Sequence, residues 1–188
     1  MKEKCPFGPL FAMHRKRRAV SLWQLCLNLR YQPRNFQRIE NGSQEPRLGL
    51  ALRMLNVLDM DSGEFLVELA ELAGMANTGG TRPTALPSTG NIATTYTLTQ
   101  TFGALLVQAR RLGGHTQQDL ADATGFHLRN MTKIENGLQE PRIMTALKLV
   151  IATGCGVGPF FRMLVKQTQV DASNDPQPGG TALSRYLL

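Results

Sequence analysis

Ile39-Glu40-Asn41-Gly42-Ser43-Gln44-Glu45-Pro46-Arg47 returns 95 residues later as Ile134-Glu135-Asn136-Gly137-Leu138-Gln139-Glu140-Pro141-Arg142. Working outward, residues 7–55 align on 102–150 without a gap, with 17 identities in 49 positions. Ordinary composition would give roughly three by chance. Gly63, Phe65 and Leu69 carry the match on to Gly158, Phe160 and Leu164. The chain therefore reads as two copies of one unit of about 65 residues, and the repeat has to be interpreted before any single motif.

Composition bounds what that unit can be. The chain has 188 residues, with 21 Lys and Arg against 14 Asp and Glu, a formal charge of +7. Hydrophobic residues make up 42% but aromatics only 6%, which suits two small helical cores. No run approaches the roughly 18 consecutive apolar residues that span a bilayer. Glu3, Pro6 and the run Arg15-Lys16-Arg17-Arg18 stand where a signal peptide would be apolar. Cys5, Cys26 and Cys155 are odd in number and lack C-x-x-C spacing, which argues against a disulfide scaffold or a zinc module. The expectation is a basic cytoplasmic protein with no membrane span, metal or cofactor.

The expected organisation is an N-terminal domain at 1–73, a linker at 74–95, a C-terminal domain at 96–169 and a flexible tail at 170–188. The linker carries Thr78-Gly79-Gly80-Thr81-Arg82-Pro83, and Arg82 is its one charge. The tail carries Asp175-Pro176-Gln177-Pro178-Gly179-Gly180. Residues 1–58 hold eleven Lys and Arg against three Glu, a net of +8. Asp59, Asp61, Glu64, Glu68 and Glu71 then follow without a basic residue. One end of the first unit is basic and the far end acidic, a polarity suited to facing a polyanion.

Within each unit the pattern predicts about five short helices and an all-α fold. Pro6 opens the first, with Leu10 and Met13 along it. Ser21 is a good N-cap for a second running to Asn28. Pro33 fits the first turn of a third, 33–40, with Phe36 and Ile39 inward, and Asn41-Gly42 stops it. Pro46 opens a fourth, and 62–71 forms a fifth. The second copy offers Thr116 as N-cap, Gly125 in the turn, Met131 and Ile134 inward, and Asn136-Gly137 as the stop.

Two short helices joined by a tight turn have helix-turn-helix spacing. Thr116-Gln117-Gln118-Asp119-Leu120-Ala121, then Gly125, Ile134-Glu135-Asn136-Gly137 and Pro141, resemble the lambda-repressor-like (Cro or XRE) DNA-binding family along about 101–165. The first unit resembles it less closely. The resemblance implies two tandem helix-turn-helix domains and a transcriptional regulator, a repressor, that binds double-stranded DNA. It implies recognition helices at 33–40 and 128–135 lying in major grooves.

The polar positions on those helices are Gln32, Arg34, Asn35, Gln37 and Arg38 in the first copy. In the second they are His127, Arg129, Asn130, Thr132 and Lys133. Arg can grip guanine O6 and N7 and Asn can grip adenine N6 and N7, and both copies keep Arg-Asn in the first turn. Candidates for phosphate are Gln117, which the resemblance suggests, together with Asn41, Gln44 and Arg47 and their twins Asn136, Gln139 and Arg142. Arg15 and Arg110 each precede Glu40 and Glu135 by 25 residues. The resemblance implies that these form structural ion pairs.

The first unit departs from the pattern: Leu22 replaces the Gln, Arg30 the turn Gly, and Pro33 stands at a base-reading position. Leu22, Trp23 and Leu27 suggest a protein contact, either a dimer or an interdomain one, because large apolar residues stand on a face that is usually polar. This supports an alternative reading as an interaction module, an antitoxin or coactivator-type adaptor. A linker of about 22 residues spans roughly 25 Å on average, against half-sites about 34 Å apart, so one chain could straddle two grooves. A homodimer on a longer palindrome fits equally, and direct or inverted half-sites stay open. An enzyme is not expected, since no phosphate loop, catalytic carboxylate pair or grouped His14, His115 and His127 appears.

Overall fold

The computed structural model describes residues 4–75 and 97–173. The expected linker beyond Met75, and the tail beyond Ser173, lie outside the described residues. Ten helices are described: α1 Phe7–Arg17, α2 Leu22–Leu29, α3 Pro33–Glu40, α4 Leu48–Val57, α5 Ser62–Leu72, α6 Leu98–Leu112, α7 Gln117–Thr124, α8 Leu128–Glu135, α9 Ile143–Ala152 and α10 Val157–Ser173. The starts of α2 to α5 and of α7 to α10 are each 95 residues apart. α10 runs four residues past the expected start of the tail.

Local chemistry explains the boundaries. Ser21 Oγ accepts from Gln24 N at 3.1 Å while Gln24 Oε1 accepts from Ser21 N at 2.7 Å. Thr116 and Asp119 make the same reciprocal box at 3.1 and 2.7 Å, so the two second helices start alike. Hydrogen bonds from Thr116 draw the Asp119 carboxyl below the ordinary carboxylate range. Pro33 occupies the first position of α3, where a missing N–H costs nothing. Gly42 and Gly137, both at positive φ, follow α3 and α8.

The cores repeat as the helices do. Phe7 lies edge-on to Phe65 at 5.4 Å, and Phe102 lies edge-on to Phe160 at 5.7 Å. Leu25, Phe36 and Ile39 from the first unit, and Leu120, Met131 and Ile134 from the second, are buried in one cluster. Each such side chain contributes about 1.5–3 kcal/mol on burial. Gly8 lets α1 pass against the end of α3: a Cβ there would stand 1.7 Å from Ile39 O. Gly103 does the same for α6, with Glu135 O at 2.5 Å from such a Cβ.

Pro46 does not open α4. The helix begins at Leu48, and Pro46-Arg47 stays extended because it pairs with Pro141-Arg142 in an antiparallel bridge. Leu48 N donates to Pro141 O at 3.0 Å, and Ile143 N donates to Pro46 O at 3.1 Å. Glu140 Oε1 accepts from Gly49 N at 2.7 Å, and Glu45 Oε1 from Met144 N at 2.8 Å. Each of these junction contacts made by one unit is returned by the other, the mark of a two-fold relation. α5 also packs on α10. The units are therefore joined face to face, through segments other than the Leu22, Trp23 and Leu27 that the sequence reading offered for an interdomain contact.

Candidate nucleic-acid interface

α2 and α3 pack on each other in the first unit, as α7 and α8 do in the second. α3 buries Phe36 and Ile39, and this inward pair turns its polar residues outward. Gln32, Arg34, Gln37 and Arg38 are exposed and Asn35 is half-buried. On α8, Met131 and Ile134 are buried. His127 and Arg129 are exposed, while Asn130, Thr132 and Lys133 are half-buried. Both α3 and α8 thus present Arg and Asn from the first turn.

Behind each helix stands a bidentate ion pair. Arg15 Nε donates to Glu40 Oε1 at 2.6 Å and Nη2 to Oε2 at 3.1 Å. Arg110 meets Glu135 with the same two distances. The remaining guanidinium donors go to Val20 O at 2.6 Å and His115 O at 2.8 Å. Each pair pins the first helix of a unit to the end of its third helix and to the residue before the N-cap of its second. Charge-assisted forked bonds of this kind fix orientation as well as energy.

The two pairs differ in cover. Gln117 donates its side-chain amide to Glu135 and accepts from Thr132 Oγ1 at 3.5 Å. The Glu135 side chain is 1% exposed, against 13% for Glu40, where Leu22 stands in place of the Gln and has nothing to donate. The side chain of Gln117, suggested by the resemblance as a phosphate contact, is thus already bound to the ion pair.

The remaining suggested phosphate ligands surround the junction. Asn41 and Asn136 are exposed, Gln44 and Gln139 half-buried, and Arg47 and Arg142 exposed. Arg47 Nη1 donates to Glu140 O and Arg142 Nη1 to Glu45 O, both at 3.4 Å, so the two guanidiniums cross the bridge reciprocally. A groove of about 1020 Å³ opens beside them, lined by Arg38, Arg47, Arg53, Arg142, Gln44 and Tyr31. Its two carboxylates, Glu45 and Glu140, are held by backbone N–H groups, and the four arginines outnumber them, so the groove is net positive. Arg53 was not singled out in the sequence. The available signal was its twin Lys148, since both are exposed cations on the fourth helix of a unit.

Leu22, Trp23 and Leu27 do not join the units: the interdomain surface is formed by the Pro46-Arg47 and Pro141-Arg142 segments and by α5 with α10. Leu22 packs partly against the first core, while Trp23 and Leu27 are 63% and 61% exposed. Their twins Gln118 and Asp122 are polar and hydrogen-bonded to each other at 2.7 Å. Burial pushes the Cys5, Cys26 and Cys155 thiols above their ordinary value, which disfavours the reactive thiolate. Among the described residues no group of three His, Cys, Asp or Glu is placed to hold a metal, and no single helix is long and apolar enough to cross a membrane.

Comparison with known proteins adds one finding. The family model described as Helix-turn-helix matches residues 106–160, from within α6 to the first turn of α10. No curated protein and no solved structure matches the chain. Residues 106–160 are thus similar to the XRE-type helix-turn-helix, a unit found in transcription regulators that bind double-stranded DNA.

Proposed function

We propose that the protein is a sequence-specific, double-stranded-DNA-binding transcriptional regulator in which residues 4–75 act as a second, divergent helix-turn-helix, and that one chain reads both halves of an operator. The observation that carries this reading is the reciprocal junction between the units. A two-fold relation between two recognition helices matches the symmetry of an inverted repeat in duplex DNA. The half-sites are therefore inverted and unlike each other, because Gln32-Pro33-Arg34-Asn35 and His127-Leu128-Arg129-Asn130 present different donors.

In this reading Arg34 and Arg129 grip guanine edges, and Asn35 and Asn130 grip adenine edges, while Arg47, Arg53, Arg142 and Lys148 neutralise phosphates. The ion pairs Arg15–Glu40 and Arg110–Glu135 hold the reading helices rigid. A chain seated across successive major grooves blocks access to the promoter beneath it, which makes it a repressor.

The test is selection of bound duplexes from a random library with wild type, Arg34→Ala and Arg129→Ala. The expected result is an inverted, imperfect two-part motif, each variant weakening a different half by roughly ten- to a hundredfold. Absence of any enriched motif refutes sequence-specific binding. The second reading, an interaction module, is favoured by exposed Trp23 and Leu27 on α2. It gains if the selected motif has a single half-site that responds only to Arg129→Ala.

A further inference from the structure

The contact between α5 and α10 is built on matched positions of the repeat, yet its charges are not matched. A Cβ on Gly63 would lie 2.6 Å from Gly158 O and 3.0 Å from Arg162 Cγ, so Arg162 crosses over Gly63. Val67, the twin of Arg162, crosses over Gly158, with Cγ2 3.6 Å from a Cβ placed there. The backbone arrangement is thus two-fold. The ionic arrangement is one-sided: Arg162 Nε donates to Asp61 Oδ1 at 3.0 Å and Oδ2 at 2.9 Å, and Nη2 reaches Glu64 Oε1 at 3.5 Å. The hydrogen bond from Arg162 draws the Asp61 carboxyl below the ordinary carboxylate range. The twins of Asp61 and Glu64 are Gly156 and Pro159, and Val67 bears no charge, so no mirror-image ion pair can exist.

The groove beside this crossing sharpens the point. Glu64, Glu68 and Glu71 line it from α5, and Gly156 to Pro159 and Arg162 line it from the second unit. Glu68 is also bound by His14 at 2.8 Å. If two first units met through the same geometry, Asp61, Ser62, Gly63 and Glu64 would replace Gly156 to Pro159. Each α5 would then set three glutamates against an aspartate and a glutamate, and Val67 would stand in place of Arg162. If two second units met, Arg162 would face Gly156 and Pro159 with no carboxylate, and Lys166 would stand where Glu71 does. Pairing of unlike units joins charges; pairing of like units opposes acids in one case and strands cations in the other.

We propose that the α5 face accepts the α10 face and rejects a copy of itself, so that the protein pairs its own two units and does not homodimerise through this surface. This stands apart from DNA binding and rests on the junction alone. The experiment places a protease site within residues 76–96 of the full chain, cleaves it after folding, and follows the halves by native mass spectrometry and light scattering. Wild type runs at the mass of one chain, and after cleavage the halves remain as unlike pairs. Arg162→Glu weakens that association about tenfold, and Glu64→Arg in the same chain restores most of it. The restored variant keeps the test decisive where Arg162→Glu alone lowers stability. Like pairs of halves after cleavage, or an association that neither variant moves, overturns the proposal.

Discussion

The second helices of the two units, α2 and α7, have the same length and cap types but opposite surface chemistry. In the second unit Gln117 ties into the ion pair behind the recognition helix, Gln118 bonds Asp122, and Gly125 turns the chain at φ +69°. In the first unit Leu22, Trp23 and Leu27 replace the polar trio, and Arg30 makes the same turn at φ +49°. What both copies keep is what holds the backbone: the forked Arg–Glu pair, the glycine under the recognition helix, the phenylalanine pair and the junction loop. What differs is what faces outward. The scaffold tolerates one solution at these positions, while the exposed face can be spent on different partners.

That comparison can be broken most forcefully at the ion pairs. Arg110→Ala strands a buried Glu135 carboxylate and is expected to cost about 3–5 kcal/mol in denaturant unfolding. Arg15→Ala should cost less, because Glu40 keeps more contact with water. Equal losses would show that the extra cover from Gln117 does not matter.

A smaller effect is expected beneath the recognition helix. Gly103→Ala pushes a methyl against the Ile134 and Glu135 carbonyls and should cost about 1–3 kcal/mol. Thermal unfolding measures it, and a neutral result would mean that α6 can shift without disturbing α8. Arg30→Gly relieves a left-handed arginine and should stabilise the first unit by about 1 kcal/mol, read as a raised denaturation midpoint. No gain would mean that the side chain of Arg30 compensates for its backbone.

The gentlest test is to give the first unit the polar face of the second. Trp23→Gln with Leu27→Asp should change stability by less than about 0.5 kcal/mol, since both side chains are already in water. Unfolding midpoints check the first point, and light scattering of both proteins checks whether the apolar pair promotes self-association.

Much of this architecture was legible in the chain. The repeat located the helices, Pro33 and the Asn-Gly pairs bounded α3 and α8, and the family resemblance pointed to the pairs Arg15 with Glu40 and Arg110 with Glu135, which the structure brings together. Pro46 misled, because proline suits both a first helical turn and an extended segment, and only the partner strand Pro141-Arg142 selects the second. The acidic run from Asp59 to Glu71 read as a pole turned away from a polyanion. Its other role, meeting Arg162, depends on a residue 101 positions from Asp61 and has no local signature.

The amino-acid sequence by itself determined the helices, their caps and the residues offered outward, because propensity, capping and apolar period act over a few residues. The tertiary structure alone decided how the units meet, which of Leu22, Trp23 and Leu27 is left in water, and that Gln117 spends its side chain on Glu135. Those outcomes depend on which surfaces exclude water together, and that is settled only when segments a hundred residues apart are packed.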